Sequence, residues 1–239
     1  MVVGKNELRG SNRERALAGF ARLLTEVPWA VDAEDVARLR KENISDAAIE
    51  HSILVTAFFN YFPRVADGTG VEFDYDSPLP RIDVDKTREA LPRIAVEDWN
   101  SSVNGATLPK FVHVPFVEAK LAPWRALHLE RDAPLGTATR AVIARAAAAE
   151  LCDHAAVDHW KDVKPRHDLD EHLADFARKL TKTPWAMDAG DVERLRAQGL
   201  SDEAILGAVT LVAYQNAISR MHHGLAAMRT RHRGDGERT

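Results

Sequence analysis

The sequence predicts an all-α protein built on a duplicated helical module, and three observations support this fold class. Capped, amphipathic helical segments account for most of the chain, and no strand-like alternation of apolar and polar residues is present. The segment from Leu17 to Gly70 also matches Leu173 to Ala226 without a gap, at a shift of about 156 positions. We therefore expect a helix content above about 60% and essentially no sheet.

The composition is that of a globular protein large enough to bury a substantial core. Of 239 residues, 45% are hydrophobic and 28% are charged. The net charge of -4 provides no basic field for a nucleic acid, so that class of partner is not expected. No apolar run approaches the roughly 20 residues that cross a bilayer, and no export signal is recognisable, so we expect a cytoplasmic protein without membrane contact.

The first two helices of each copy are marked by helix-ending and helix-capping residues. Pro28 and Pro184 end the first helix, because proline lacks an N–H and disfavours a helical residue before it. Asp32 and Asp188 then stand where an N-cap belongs. Each copy is thus expected to continue into a short helix that ends near residue 41 or 197.

The turn into the third helix also uses equivalent residue types in both copies. Asn43 aligns with Gly199, and these two residue types best tolerate the left-handed conformation that closes a helix. Ser45 and Ser201 follow as N-caps of the third helix. Both copies are therefore expected to make the same turn.

The third helix of each copy is long and apolar on more than one face, which predicts a central, buried helix. The apolar positions are Ile49, Ile53, Leu54, Ala57 and Phe58 in copy one, and Ile205, Val209, Val212, Ala213 and Ile218 in copy two. Each copy also carries an Asn and an Arg four residues apart, which are Asn60 with Arg64 and Asn216 with Arg220. A buried structural hydrogen bond or interhelix clamp is the expected role, and a role in a site is the alternative.

The two copies differ in what precedes them, which divides the chain into four parts. Residues 1–75 hold only the closing helices of the unit, and residues 76–108 form a packed connector with a short helix near residues 86–90. Residues 109–230 form a complete unit, with a short helix around Trp124 opened by Pro123 and a long helix from Thr137 to Val163. Residues 231–239 form a flexible basic tail.

The ordered pattern P…D…LR…GLSDEAI…A…N…R…G resembles the carboxymuconolactone decarboxylase and alkylhydroperoxidase D-like superfamily, in its peroxidase-related branch. The part from about Pro109 to Met228 is similar to a whole unit of that superfamily, and copy one is similar to its back half. The resemblance implies an alkylhydroperoxidase D-like helical fold with an internal, partial tandem repeat. It also implies assembly as a homo-oligomer.

The resemblance further implies a site with a degenerate Cys-x-x-Cys motif. Redox members carry two cysteines separated by two residues and a histidine four positions after the second. Here Cys152 and His159 match, Ala155 replaces the second cysteine, and Arg140 replaces an upstream glutamate. Because Cys152 is the single cysteine, a dithiol cycle cannot run within one chain.

The spacing of these residues has its own chemical meaning. On one continuous helix, Cys152, Ala155 and His159 would share a face, and a nearby imidazolium would lower the pKa of the thiol. The candidate catalytic residues are therefore Cys152, His159 and His154. The alternative is that a lone cysteine in an alanine-rich helix is simply a small hydrophobic residue.

Three functions are open at this point. The first is a peroxidase-related antioxidant or thiol-dependent oxidoreductase that acts through Cys152 with His159. The second is a non-redox, decarboxylase-like enzyme in which His159, with Asp158 or Glu150, transfers protons. The third is a catalytically inactive helical binding or scaffold protein. For either enzyme the substrate is a small molecule that the sequence does not identify.

No cofactor or metal is expected. Cys152, His154 and His159, together with His222 and His223, lack a recognised metal-ligand spacing, and no glycine-rich phosphate loop is present. The assembly is expected to be a homodimer or a higher homo-oligomer, because copy one lacks the front helices that would cover its apolar third helix. Cover by copy two within one chain is the alternative.

Overall fold

The computed structural model describes residues 10–70 and 108–230. Helix accounts for 77% of this part of the chain, and no strand occurs within it, which confirms the all-α class. The predicted connector lies outside the described residues except for Leu108, and so do the predicted basic tail and the short helix near residues 86–90.

Nine α-helices span the described residues. They are α1 (Asn12–Glu26), α2 (Ala33–Lys41), α3 (Asp46–Thr69), α4 (Glu118–Leu129), α5 (Thr137–Glu150), α6 (His154–His159), α7 (Asp168–Lys182), α8 (Ala189–Ala197) and α9 (Asp202–Arg229). Three short 3-10 turns, Pro28–Ala30, Pro115–Val117 and Pro184–Ala186, precede α2, α4 and α8. Within the described ranges, no helix combines the length and the apolar character needed to cross a membrane.

The helix ends are stabilised by the residues that the sequence singled out. Asp32 and Asp188 accept hydrogen bonds from backbone N–H groups of the helices they cap, and Ser45 and Ser201 do the same for α3 and α9. Asn43 has a φ of 58° and Gly199 a φ of 87°. Both residues are therefore in the left-handed conformation predicted for this turn.

The helix bounds repeat along the chain at the shift seen in the sequence. α7, the second Pro-Trp-Ala turn and α8 begin and end at the positions that align with α1, the first turn and α2. α9 starts at the position that aligns with the start of α3, and it continues four residues further. These matching bounds are consistent with duplication, while superposition of the two chain paths stays a prediction.

α3 and α9 pack against each other along most of their length and form the centre of the fold. α9 is buried nearly throughout, and its five predicted apolar positions are all inaccessible to solvent or nearly so. α3 is different, because only one of its faces is buried. Ile49, Ile53 and Ala57 lie in the core, whereas Phe58 is 51% exposed, so α3 is central as predicted, but the prediction that it is buried is wrong for its outer face.

Two further helix predictions are wrong. The long helix from Thr137 to Val163 is instead α5 and α6, because the chain turns sharply at Cys152 and Asp153 then caps a new helix. The helix around Trp124 starts at Glu118 and contains Pro123 instead of beginning there. The 3-10 turn at Pro115–Val117 leads directly into α4, so helical backbone is established before Pro123 is reached.

Candidate functional site

The turn that separates α5 from α6 holds Cys152. Its backbone N–H donates to the carbonyl of Ala149 at 3.2 Å, and the N–H of Asp153 donates to the carbonyl of Ala148 at 3.0 Å. This pair of bonds is the Schellman arrangement, which satisfies the last carbonyls of a helix. It requires a left-handed residue at the position of Cys152, whose φ is 53°.

Cysteine is an unusual residue at this position. Glycine and asparagine are preferred there, because a Cβ atom in the left-handed conformation costs about 1 kcal/mol. Asn43 is the other non-glycine residue with positive φ in the described part of the chain, and asparagine tolerates that conformation. A thiol at Cys152 therefore stands where glycine would be more stable.

Asp153 fixes the start of α6. Its backbone angles, φ -80° and ψ 75°, are those of an inverse γ-turn, in which the N–H of His154 donates to the carbonyl of Cys152 at 3.0 Å. Its Oδ1 atom accepts from the N–H of Ala156 at 3.1 Å. The Asp153 side chain is 1% exposed, so it anchors the turn from inside the protein.

A buried polar network from α9 surrounds the Asp153 carboxylate. Ser219 donates its hydroxyl hydrogen to Asp153 Oδ2 at 2.7 Å and accepts from Gln215 Nε2 at 2.9 Å. His222 Nδ1 lies 3.5 Å from the same Asp153 oxygen, and His223 Nε2 lies 3.0 Å from the carbonyl of Leu151. Positions 215, 219 and 222 lie on one face of a helix, so α9 presents all three side chains toward the turn.

The charges in this network are set by burial and by the neighbouring side chains. Burial raises the pKa of Asp153, but the hydrogen bond and charge of His222, the charge of His223 and the hydroxyl of Ser219 outweigh it and bring the pKa to about 2. Burial lowers the pKa of His223 to about 4, despite the opposing effect of Asp153. At neutral pH the network therefore holds an ionised Asp153 and a neutral His223, whose Nε2–H donates to Leu151.

The predicted site residues do not share one helix face. Cys152 is half-buried in the turn, while His154 and His159 are exposed at the first and last positions of α6. Residues five positions apart on a helix point in different directions, so these two histidines diverge. The prediction that Cys152, Ala155 and His159 lie on one continuous helix is wrong, because the left-handed turn interrupts it.

The sequence did not identify Asp153, Ser219, His222 and His223 as one cluster. The available signal was that His222 and His223 replace Ala66 and Asp67 of copy one, so they are extra to the repeated framework. Helical spacing also placed Ser219 beside His222 and His223. Asp153 joins them only through the unforeseen turn, which no spacing rule predicts.

Arg140 occupies the position where the resembled family carries a glutamate, and here it is structural. The side chain is buried and donates to three backbone carbonyls, those of Leu135 and His128 at 2.8 Å and that of Ala133 at 3.0 Å. These bonds hold the loop between α4 and α5. Position 140 therefore provides no carboxylate for proton transfer.

The two acids considered for proton transfer with His159 both form ion pairs with lysines. Asp158 lies 3.9 Å from Lys161 and is largely exposed. Glu150 lies 4.0 Å from Lys182, at the end of α5. Each carboxylate is thus near a surface cation.

A cavity of about 260 Å³ lies between α5, α6 and α7. Seven of its nine lining residues are apolar, and the other two are Arg145 and Arg178. The apolar lining residues are Val142, Ala146, Ala149, Val157, Val163, Pro165 and Ala174. The Nε atom of Arg145 is buried and has no hydrogen-bond partner within the described residues, and Cys152 does not line this cavity.

No group of three or more His, Cys, Asp or Glu side chains in the described residues is arranged to hold a metal ion. Comparisons with models of protein families, with curated proteins and with solved structures found no match.

Proposed function

We propose that this protein is a peroxidase-related, alkylhydroperoxidase D-like oxidoreductase with a single reactive thiol, Cys152, that reduces hydroperoxides at the expense of small thiols. The observation that carries the proposal is the placement of Cys152. The chain holds a thiol in a left-handed turn where glycine would be more stable, directly before a buried Asp153 that is bonded to Ser219 and lies beside His222. The sequence resemblance supplies the class of reaction.

The first chemical step forms a sulfenic acid. The Cys152 thiolate attacks the terminal oxygen of a hydroperoxide, a sulfur–oxygen bond forms, and the oxygen–oxygen bond breaks. The departing alkoxide takes up a proton and leaves as an alcohol. His154, which is exposed at the first position of α6 just after the turn, is the proposed group that removes the thiol proton and returns a proton to the alkoxide.

The second stage restores the thiol with an external reductant. A low-molecular-weight thiol attacks the sulfur of the sulfenic acid, water leaves, and a mixed disulfide forms. A second molecule of that thiol then attacks the mixed disulfide, which releases Cys152 and a small-molecule disulfide. The cycle needs no second cysteine in the chain, in agreement with Ala155 at the place of the resolving residue.

The buried network has a positioning role in this proposal. Asp153 has a pKa of about 2, so at neutral pH its carboxylate is ionised and does not donate a proton to the reaction. It holds the turn through its bonds to Ala156 and Ser219. The bonds of Asp153 therefore fix the position of the Cys152 thiol in the turn at the end of α5.

The test measures consumption of an alkyl hydroperoxide in the presence of a small thiol, together with trapping of the sulfenic acid by a dimedone-type probe and intact mass. We expect one probe per chain in the wild-type protein and none in Cys152→Ala, and we expect slower consumption in His154→Ala. His172→Ala is the matched control, because His172 is exposed on α7 and remote in sequence from the turn. Unchanged consumption in Cys152→Ala would refute the proposal, and activity lost only in His159→Ala would indicate decarboxylase-like proton transfer.

A second candidate function is binding of a small molecule without catalysis, and the cavity between α5, α6 and α7 favours it. A lining that combines apolar residues with Arg145 and Arg178 suits a ligand that has an apolar body and one anionic group. Calorimetric titration with short aliphatic carboxylates tests this candidate. Binding that Arg145→Met weakens and the exposed control Arg22→Met does not would favour it, whereas equal binding by both variants would contradict it.

A further inference from the structure

The outer face of α3 is apolar and exposed to solvent. Val55, Phe58 and Phe62 are each 51% exposed and Phe59 is 68% exposed. Their spacing places them on one side of the helix. No exposed residue between positions 51 and 66 is an Asp, Glu, Lys or Arg. We call Val55, Phe58, Phe59 and Phe62 the α3 face.

The aromatic rings of the α3 face pack on one another outside the core. The ring centroids of Phe58 and Phe62 are 4.6 Å apart, and those of Phe58 and Phe59 are 6.1 Å apart. One turn before Val55 on the same side of α3, the ring centroid of His51 lies 6.3 Å from that of Phe116, which is itself 64% exposed. The apolar surface therefore continues from α3 onto the 3-10 turn before α4.

The residues of copy two that align with the α3 face are covered by other parts of the protein. Leu211, Tyr214, Gln215 and Ile218 align with the α3 face, and none of them is more than 2% exposed. In copy two α4 supplies part of the cover, since the Tyr214 ring is stacked on the ring of His128 on α4, with the ring centroids 5.0 Å apart. In the described part of the chain, the α3 face of copy one is instead left largely exposed, at 51% or more for each of its four side chains.

We infer that a second copy of this chain covers the α3 face, in a two-fold homodimer in which the two α3 helices pack against each other. A two-fold contact places the same patch opposite itself, so charges of one sign would repel each other. The α3 face carries no such charge. Its aromatic residues and its lack of charged residues are typical of the core of an interface.

The size of the patch also fits a dimer. A phenylalanine side chain can bury roughly 150–250 Å², so the exposed parts of the four side chains amount to on the order of 400 Å². A standard interface buries about 800 Å² on each partner, and a little over half of that area is apolar. The α3 face alone therefore approaches the apolar part of a standard interface, and Phe116 adds to it.

Sedimentation velocity of the full chain between about 1 and 100 μM tests the inference. We expect a dimer for the wild-type protein, and we expect Phe59→Glu to weaken self-association by roughly 30-fold or more, because it buries a charge at the centre of the contact. Leu206→Glu is the matched control, since Leu206 is 47% exposed on α9 and lies outside the α3 face. Circular dichroism and thermal melts confirm that each variant is folded.

A second measurement locates the contact. Phe59→Cys in a Cys152→Ala background gives a chain whose single thiol lies on the α3 face, and mild oxidation should join two chains in high yield. A monomeric wild-type protein at 100 μM would overturn the inference, and so would a dimer that Phe59→Glu leaves intact. A dimer weakened equally by Leu206→Glu would also contradict it, because the contact would then not be specific to the α3 face.

Discussion

Arg64 and Arg220 make the same contact from opposite halves of the molecule. Arg64 donates to the carbonyl of Thr181 at 3.1 Å, and Arg220 donates to the carbonyl of Thr25 at 2.8 Å. Each arginine also donates to the asparagine four residues before it on its own helix. The first helix of each copy is thus tied to the third helix of the other, which confirms the interhelix clamp expected for these pairs.

The first prediction concerns this reciprocal clamp. Arg220→Met should lower the free energy of unfolding by about 2 to 4 kcal/mol, because Asn216 and the carbonyl of Thr25 both lose a buried, charged donor. Arg64→Met should act in the same way on the carbonyl of Thr181. Urea denaturation followed by circular dichroism measures both, with the exposed Arg22→Met as the control expected to leave the midpoint unchanged. If the buried variants match the control, the clamp does not stabilise the fold.

The second prediction concerns stability at mildly acidic pH. His223 is buried and its pKa is lowered to about 4, whereas an unfolded histidine titrates near 6.5. Between these values the unfolded chain binds a proton that the folded protein does not, so the stability of the wild-type protein should fall as the pH decreases from 6.5 toward 4. The contribution of His223 is on the order of 3 kcal/mol. Burial and nearby arginines lower the pKa of His128 to about 4 as well. His128 therefore also makes the folded protein less stable as the pH decreases.

The measurement is the difference in urea midpoint between pH 7.5 and pH 4.5. We expect His223→Gln to reduce this difference, because glutamine keeps an N–H donor for the Leu151 carbonyl and does not titrate. His172→Gln, on the surface of α7, should retain the wild-type difference. At pH 4.5 Asp153, with its pKa of about 2, remains ionised in the folded protein. A wild-type pH dependence in His223→Gln would show that His223 is not the titrating group.

The third prediction separates the strain of the turn from its chemistry. Cys152→Gly should raise the free energy of unfolding by about 1 kcal/mol, because glycine adopts a φ of 53° without a clash of Cβ. The same variant should lose all thiol reactivity. Asn43→Gly is the reference, with a smaller gain, since asparagine already tolerates the left-handed conformation. A less stable Cys152→Gly protein would mean that contacts of the thiol outweigh the strain.

The sequence predicted the fold better than the site, and the reason is physical. Caps and turns such as Asp32, Asn43 and Ser201 act on their immediate neighbours, so their residue types indicate helix ends directly. At Cys152 the same kind of turn is made by a residue that has no preference for it. The predicted helix therefore ran through that position, and the catalytic face drawn on it was wrong.

The exposure of α3 was missed for a different reason. Helical periodicity identifies an apolar face, but it does not say whether another element covers that face. Phe58 was therefore expected in the core with Ile53, and it lies at the surface. The comparison of the two copies, in which copy one matches only the back half of a unit, indicates an uncovered face better than periodicity does.

The fourth prediction concerns Glu50, which the sequence did not single out. Its buried carboxylate on α3 accepts from the N–H groups of three consecutive residues, at 2.9, 2.8 and 3.0 Å. The donors are Val112, His113 and Val114. Glu50→Ala should lower the free energy of unfolding by about 2 to 4 kcal/mol, since three backbone N–H groups lose one buried, charged acceptor.

Hydrogen exchange gives the local measure for Glu50. The amides of Val112, His113 and Val114 should exchange much faster in Glu50→Ala, while amides in the middle of α5 keep their protection until global unfolding limits them. Glu42→Ala is the control, because Glu42 follows α2 in the exposed turn before α3. Unchanged exchange at these three amides would show that other contacts hold the segment.

The last prediction tests whether the buried network positions Cys152. Ser219→Ala removes the hydroxyl that donates to Asp153 and accepts from Gln215, so two buried polar groups lose a partner at once. We expect a loss of about 1 to 3 kcal/mol in unfolding free energy. We also expect faster alkylation of Cys152 by iodoacetamide at fixed pH, because the turn that keeps the thiol half-buried opens more often. Ser52→Ala is the matched control, since its hydroxyl donates to the carbonyl of Ala48 within α3. Its unfolding free energy and its alkylation rate should both stay at the wild-type values. A destabilised Ser219→Ala protein with unchanged alkylation would separate the two effects and show that the network stabilises the core without positioning the thiol.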